Sequence, residues 1–236
     1  VKVFTDREIR RTLAKYDLHT VRVELAASVA VEIAEVRDAY SLLDTLAARE
    51  QAGRQIRRFP YWAEIWPSAA ALARWLHQGH LARPATPVLE LGCGLGLVGV
   101  GCARLGWAVE ATDYVEDALV LAAHNGSRNG VAAWHRVRYL DWATPTGTPT
   151  GLIVGSDLAY EKANHALLAR VLRDLLRPGG VFCLGDPGRP TARALVDLLR
   201  GQGYHHEVDT LAQRWKDLDH RIDIHRFHRP SGRLSV

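Results

Sequence analysis

Residues 88–100 read VLELGCGLGLVGV, an apolar run that breaks into four glycines within eight positions. A short apolar run bounded by glycines reads as a buried strand. The glycines let the backbone turn tightly and let a ligand approach without a Cβ in the way. An apolar helix can then begin near residue 96. A strand, a glycine turn and a helix in that order commit the chain to a parallel α/β sheet, because parallel strands need crossover connections.

The rest of the chain agrees. Strands are expected at 87–91, 107–112, 135–140, 151–156, 180–185, 203–209 and 222–228, and helices at 96–105, 115–129, 163–176 and 190–202. The last two strands follow each other without a helix, so an antiparallel hairpin should end the sheet. Before the first helix of this series, Pro67 suits the first turn of a helix through Leu76. Further upstream, Val21, Val23 and Leu25, then Val29, Val31 and Ile33, alternate as strands do. Val29, Ile33, Val36 and Tyr40 also permit a helix. Asp38 can cap a helix running to about residue 50, and Gly53 to Arg58 reads as a loop. Asn125 and Asn129 stand where a helix should close.

Two glycine frames overlap in the turn. Gly94, Gly96 and Gly99 spell G-x-G-x-x-G, the dinucleotide pattern. Glu90, Gly92, Gly94 and Gly96 spell E-x-G-x-G-x-G, a frame that suits S-adenosylmethionine. The charges separate them. A carboxylate such as Glu90 inside the turn repels a pyrophosphate but attracts a ligand bearing an amino group and a sulfonium. In this frame Cys93 is a small spacer and Gly99 lets the helix pack closely on the sheet. Asp113, closing the second strand, can bind a ribose in either cofactor. Asp141 and Trp142 follow the third strand, where an acid can meet an adenine amino group and an indole can cover the ring. Ser156, Asp157 and Tyr160 end the fourth strand, where ligands of open α/β sheets sit.

ELGCGLG, Asp113, LDW and the D-x-x-Y of Asp157 to Tyr160 together resemble the class I, seven-β-strand methyltransferases, and within them the protein lysine methyltransferases of family 16. PYWAEIWP (60–67) and GDPGRP (185–190) resemble the branch of that family acting on the electron transfer flavoprotein β subunit. The resemblance covers roughly residues 59 to 228. It implies a doubly wound, Rossmann-like seven-stranded methyltransferase sheet, with a terminal antiparallel hairpin and a small N-terminal extension. It divides the chain into an extension, 1–58, with a role in substrate recognition, and a methyltransferase domain, 59–236. It implies S-adenosyl-L-methionine as cofactor and a lysine of a protein as acceptor. It assigns Trp66, Gly92, Gly94, Gly96, Asp113, Trp142 and Ser156 to cofactor contact, beside Glu90, Cys93 and Asp141. Asp157 and Tyr160 fall to the catalytic, substrate-facing side. Cys93, Leu95 and the residues between Asp157 and Tyr160 depart from the branch's pattern.

Other chemistries fit less well. Enzymes that methylate amino groups of nucleic acids carry an N/D-P-P-Y/F tetrad after the fourth strand, where this chain has SDLAY, so no nucleic-acid partner is expected. Small-molecule N-methylation and a non-catalytic cofactor-binding module stay open. Three cysteines, at 93, 102 and 183, without C-x-x-C fit a reducing compartment and no zinc site. His205 and His206 are adjacent, hence on opposite faces of a strand, so no metal is expected. The net charge of +4 is spread along the chain. No apolar run is long enough to span a bilayer, and no basic-then-apolar leader opens the chain. The expected location is the cytoplasm.

Overall fold

The computed structural model describes residues 2–39, 42 and 60–232. The expected helix after Asp38 and the loop at 53–58 therefore lie almost wholly outside the described residues. The elements in chain order are α1 (Asp6–Leu13), β1 (Leu18–Ala26), β2 (Val29–Val36), α2 (Pro67–His77), β3 (Val88–Leu91), α3 (Leu97–Arg104), β4 (Val109–Asp113), α4 (Glu116–Arg128), β5 (His135–Tyr139), β6 (Thr150–Ser156), α5 (His165–Leu175), β7 (Leu176–Asp186), α6 (Pro190–Gly201), β8 (His205–Trp215) and β9 (Leu218–His228).

A seven-stranded sheet runs β5-β4-β3-β6-β7-β9-β8. The strands from β3 to β7 pair in parallel, and β9 and β8 join antiparallel. The order reverses between β3 and β6. That reversal opens a crevice at the carboxyl ends of these strands. One apolar core lies between the sheet and α2, α3 and α4, where Leu72, Trp75, Val100 and Leu121 are buried. The other lies under α5 and α6, around Leu168, Leu172, Phe182 and Leu195. All four residues of β3 are buried, as befits a strand covered on both faces.

Two boundaries differ from the sequence reading. β7 begins at Leu176 rather than 180, because the Pro178-Gly179-Gly180 turn is a bulge within it: Thr150 pairs with Leu176, yet Leu152 pairs with Val181. β8 and β9 run 11 residues each, joined only by Lys216 and Asp217 at positive φ. That two-residue left-handed turn matches the twist of the flanking strands.

The N-terminal segment forms α1 and a β1–β2 hairpin, so the strand reading of 21–33 holds and the helical one does not. Thr5 and Glu8 make a capping box that starts α1. Val23, Leu25, Val31 and Ile33 of the hairpin enter the first core. Its outer edge is closed by Asn125 of α4 and by Asn129, which also closes that helix as expected: it is the C-cap residue, and its Nδ2 donates to Asn125 O (2.7 Å). The N–H of Ala34 donates to Asn125 Oδ1 (2.8 Å), and Asn125 Nδ2 donates to the carbonyls of Ala34 (3.3 Å) and Leu95 (2.9 Å). The N–H of Glu32 donates to Asn129 Oδ1 (2.9 Å), and Asn129 Nδ2 donates to Glu32 O (2.8 Å). Four helical residues rise about 6 Å and two strand residues about 6.6 Å, so the spacings match. Two side-chain amides thus replace a missing third strand.

Asn125 is fully buried, and its loss would leave three backbone groups without partners. Asn125→Leu is expected to lower unfolding stability by roughly 2–4 kcal/mol, read from urea denaturation. Hydrogen exchange at Ala34 should accelerate in the same variant.

Candidate active site

The crevice holds a cavity of about 510 Å³, within the range of small-molecule sites. Its floor is the glycine turn. Gly92, Gly94 and Gly96 have φ of 58°, 50° and 80°, whereas Gly99 lies inside α3 with no such φ. The E-x-G-x-G-x-G frame is therefore the one that shapes the turn. Gly99 has another reason to lack a side chain. A Cβ there would lie 2.3 Å from Glu90 Oε2 and 2.9 Å from His135 Nε2. So it is a carboxyl and an imidazole, rather than the sheet backbone, that α3 approaches.

Glu90 is 2% exposed, and among the described residues its Oε2 makes no hydrogen bond of ordinary geometry. Burial pushes its pKa up to about 8; the Gly99 N–H works against this and the Asp113 charge adds to it. His135 is pushed down to about 4 by burial alone. Asp113 ends β4. Its Oδ2 accepts the Gly94 N–H (3.0 Å) and its Oδ1 the Val115 N–H (2.9 Å). Burial raises its pKa, and the N–H groups of Val115 and Gly94 oppose the rise. The acid that caps the turn thus also fixes its shape. Cys93 is buried at the turn and donates its N–H to Thr112 O (2.9 Å).

The wall over the turn is the segment 61–66. A Cβ at Gly94 would lie 3.2 Å from the Trp62 carbonyl oxygen. Trp66 Nε1 donates to Tyr61 O (2.9 Å). The Tyr61 ring lies 5.8 Å from that of Trp66 and 5.1 Å from that of Tyr160, tilted in both cases. Glu35, fully buried on β2, accepts the Ile65 N–H (2.8 Å) and pairs with Lys216 of the β8–β9 turn (3.3 Å). Lys216 also pairs with Glu64 (2.9 Å). This network ties the wall to both hairpins.

At the far end of the cavity, Ser156 and Asp157 follow β6. Asp157 has φ 56° and donates its N–H to Gly185 O (2.8 Å). Its Oδ1 accepts from Arg189 Nη1 (2.5 Å), which also reaches Asp186 Oδ2 (3.3 Å). Among the described residues Asp157 Oδ2 is buried and makes no hydrogen bond of ordinary geometry, with the Ser68 hydroxyl beside the carboxyl group. Burial raises the Asp157 pKa, and Arg189 opposes the rise. Asp141 and Trp142 line the opposite side, where Asp141 Oδ1 accepts the Ala143 N–H (2.8 Å).

All the residues assigned to cofactor or substrate thus line one cavity, apart from Gly96, which caps α3. Tyr114, Tyr139, Asn164 and Arg189 line it too and were not foreseen as site residues. Tyr114 directly follows Asp113 at a strand end, and Arg189 stands in GDPGRP, so position was the available signal for both.

The family profile described as lysine methyltransferase matches residues 44–190. The chain belongs to the lysine methyltransferase family. It is 29% identical to the EEF1A lysine methyltransferase 3 of Mus musculus over 72% of this chain and 75% of that protein. It is 34% identical to the electron transfer flavoprotein beta subunit lysine methyltransferase of Danio rerio, over 55% of this chain and 51% of that one. Thus it spans three quarters of the first relative and about half of the second. The magnesium protoporphyrin IX methyltransferase of Synechocystis, solved with bound S-adenosylmethionine, shares the fold: TM-score 0.53, 15% identity, 80% of this chain and 97% of that chain.

This lysine methyltransferase uses S-adenosylmethionine, and the residues fit it. Four of the acids that line the cavity, Glu90, Asp113, Asp141 and Asp157, suit a ligand rich in donors and positive charge. The three left-handed glycines let the turn bend tightly and pack against Leu158, Trp62 and Ala122 beneath and beside the cavity.

The Glu90 shift carries a consequence for stability. An unfolded glutamate loses its proton near pH 4.3, but the buried one keeps it to about pH 8. The folded state therefore binds more protons between these values, and stability falls as pH rises through that window, by up to ~1.4 kcal/mol per pH unit. Glu90→Gln removes this loss. Its stability relative to the native chain is expected to grow from pH 5 to pH 8 and then level off, measured by urea unfolding across that range. The same variant should bind S-adenosylmethionine more weakly.

Proposed function

We propose that the acceptor is a lysine of the electron transfer flavoprotein β subunit and that Asp157 and Tyr160 receive it. The observation that carries the proposal is the wall formed by Tyr61, Trp66 and Tyr160 in the same cavity as the Asp157 carboxyl group. Aromatic faces attract a cation, and a buried carboxyl oxygen accepts from an amine. The relatives in Danio rerio and Xenopus laevis named for that subunit, 34% and 32% identical, support the choice of acceptor.

S-adenosylmethionine supplies a methyl group on a sulfonium, so the protein's task is to present a neutral amine in line. A lysine has a reference pKa of ~10.4, and its deprotonation at pH 7 costs roughly 4–5 kcal/mol. Tyr61, Trp62, Trp66 and Tyr160 form a partly apolar channel that lowers this cost by desolvation. Asp157 orients the amine through Oδ2 while Arg189 holds Oδ1. Asp157 serves as a guide rather than a strong base, and solvent takes the proton. On the cofactor side, Glu90, Gly92, Cys93, Gly94 and Gly96 hold the methionine end with Ser156 and Trp66. Asp113 holds the ribose, and Asp141 and Trp142 hold the adenine.

The extension, residues 1–58, acts as a substrate-recognition element by fixing the wall through Glu35. Among the described residues, no helix is long and apolar enough to cross a membrane. The three cysteines are buried and unbridged, which supports a reducing, cytoplasmic setting.

Labelled methyl transfer into purified electron transfer flavoprotein and into a cell extract tests the proposal. Label on a lysine of the β subunit is expected. Label confined to RNA or to small molecules would overturn it. Asp157→Ala is expected to reduce transfer by about 100-fold while S-adenosylmethionine affinity stays near that of the native chain.

A further inference from the structure

The β8–β9 hairpin has a closed and an open end. At the closed end, Lys216 is tied to Glu35 and Glu64. At the open end, β8 begins with His205 directly opposite His228, the last residue of β9. Cross-strand partners project to the same face, and Glu207, two residues along β8, shares it. His206, between them, points the other way and contacts His225 and Phe227.

This register gathers His205, Glu207 and His228, whose ligand atoms all lie within 4.8 Å of one another. His205 Nδ1 is 3.9 Å from the Glu207 carboxylate and His228 Nε2 is 3.7 Å from it. These are too long for hydrogen bonds. Among the described residues His228 Nε2 is buried without a hydrogen-bond partner. Two ligands of one tetrahedral zinc ion lie roughly 3.3 Å apart, given bonds of ~2.0–2.1 Å, so side-chain rotation alone would close the gap. The Glu207 carboxylate is already oriented by Arg226 Nη1 at 2.9 Å on Oε2, the kind of outer hydrogen bond that fixes a ligating carboxylate. Oε1 remains for a metal.

We propose that His205, Glu207 and His228 form a surface site for a divalent transition-metal ion, with zinc as the occupant and water completing its coordination. Two imidazoles and one carboxylate suit zinc. Arg226 places a positive charge nearby, so the site is a moderate binder. Its effect is structural. β8 is the outermost strand of the sheet, and strand ends fray first. An ion here ties the His205 end of that strand to β9. The site lies away from the crevice: His228 pairs with Val181 of β7, whereas Asp186, at the crevice end, pairs with Asp223.

Calorimetric titration of zinc into the tag-free chain tests this, with the His205→Ala/His228→Ala double variant and His220→Ala as control. The native chain and the control are expected to bind one zinc equivalent that the double variant lacks. Zinc should raise the melting temperature of the native chain but not of the double variant. Glu207→Gln is expected to weaken binding about tenfold. S-adenosylmethionine affinity, measured in parallel, reports that the variants are folded. If the double variant does not fold, His205→Ala alone, at a side chain 70% exposed, should weaken zinc binding at least tenfold. A native chain that takes up no more zinc than the double variant, or unweakened zinc binding by His205→Ala where that variant must stand in, overturns the proposal.

Discussion

A carboxyl group has to be accommodated where β3, α3 and β5 meet, and the glycines around it follow from that demand. Glu90 lies under the turn, so α3 must come close without a Cβ at Gly99. His135 needs room beside it, and Gly126 of α4 supplies that room: a Cβ there would lie 2.7 Å from His135 Nδ1. Burying an acid and an imidazole is costly unless each sheds its charge. The directions agree with that demand, the acid being pushed up and the imidazole down. The turn is thus built on two polar groups held neutral in the absence of a cationic ligand. The cost falls on stability, and the gain falls on a cofactor that brings positive charge.

The second dependence is mechanical. The segment 61–66 has little secondary structure of its own, a single 3₁₀ turn at Tyr61–Ala63. Its position is set from outside by Glu35, which is fixed in turn by the β1–β2 hairpin. That hairpin would be marginal alone. It holds because α4 offers two asparagines at the spacing of a strand edge, and because its apolar face joins the core. Lys216 adds a tie from the opposite margin of the sheet. One wall of the cavity therefore depends on contacts between residues more than 180 positions apart, Glu35 and Lys216.

This explains what the sequence made legible. Strand, turn and helix order follow from local periodicity, and the carboxyl ends of parallel strands carry the site in any such sheet, so Glu90, Asp113, Asp141, Ser156 and Asp157 could be named from position alone. Gly99 was correctly separated from the turn, although its actual constraint is a side chain rather than the sheet. Asn129 closes its helix as local reading expects, but the hairpin partners of Asn125 and Asn129 lie 91 and 97 residues away and leave no local signal. Adjacent histidines at 205 and 206 drew attention to each other, whereas the partner that matters to His205 is its cross-strand neighbour. The bulge at 178–180 escaped because Pro-Gly-Gly normally ends pairing rather than interrupting it.

The charges at the end of β6 show how far such a wall can be selective. Asp157 is held at a left-handed φ that a residue with a Cβ rarely adopts, and the strain persists because its N–H is bound to Gly185 and its Oδ1 to Arg189. Both constraints fix the carboxyl plane at the cavity wall. Counting formal charges, two aspartates surround one guanidinium. A phosphate arriving there would meet a net negative wall, and a donor or cation would meet an acceptor already oriented. If Asp157 instead keeps its proton, as its burial encourages, the site is neutral and still offers oxygen to an amine. In either state the charges favour a nitrogen donor over an anionic ligand.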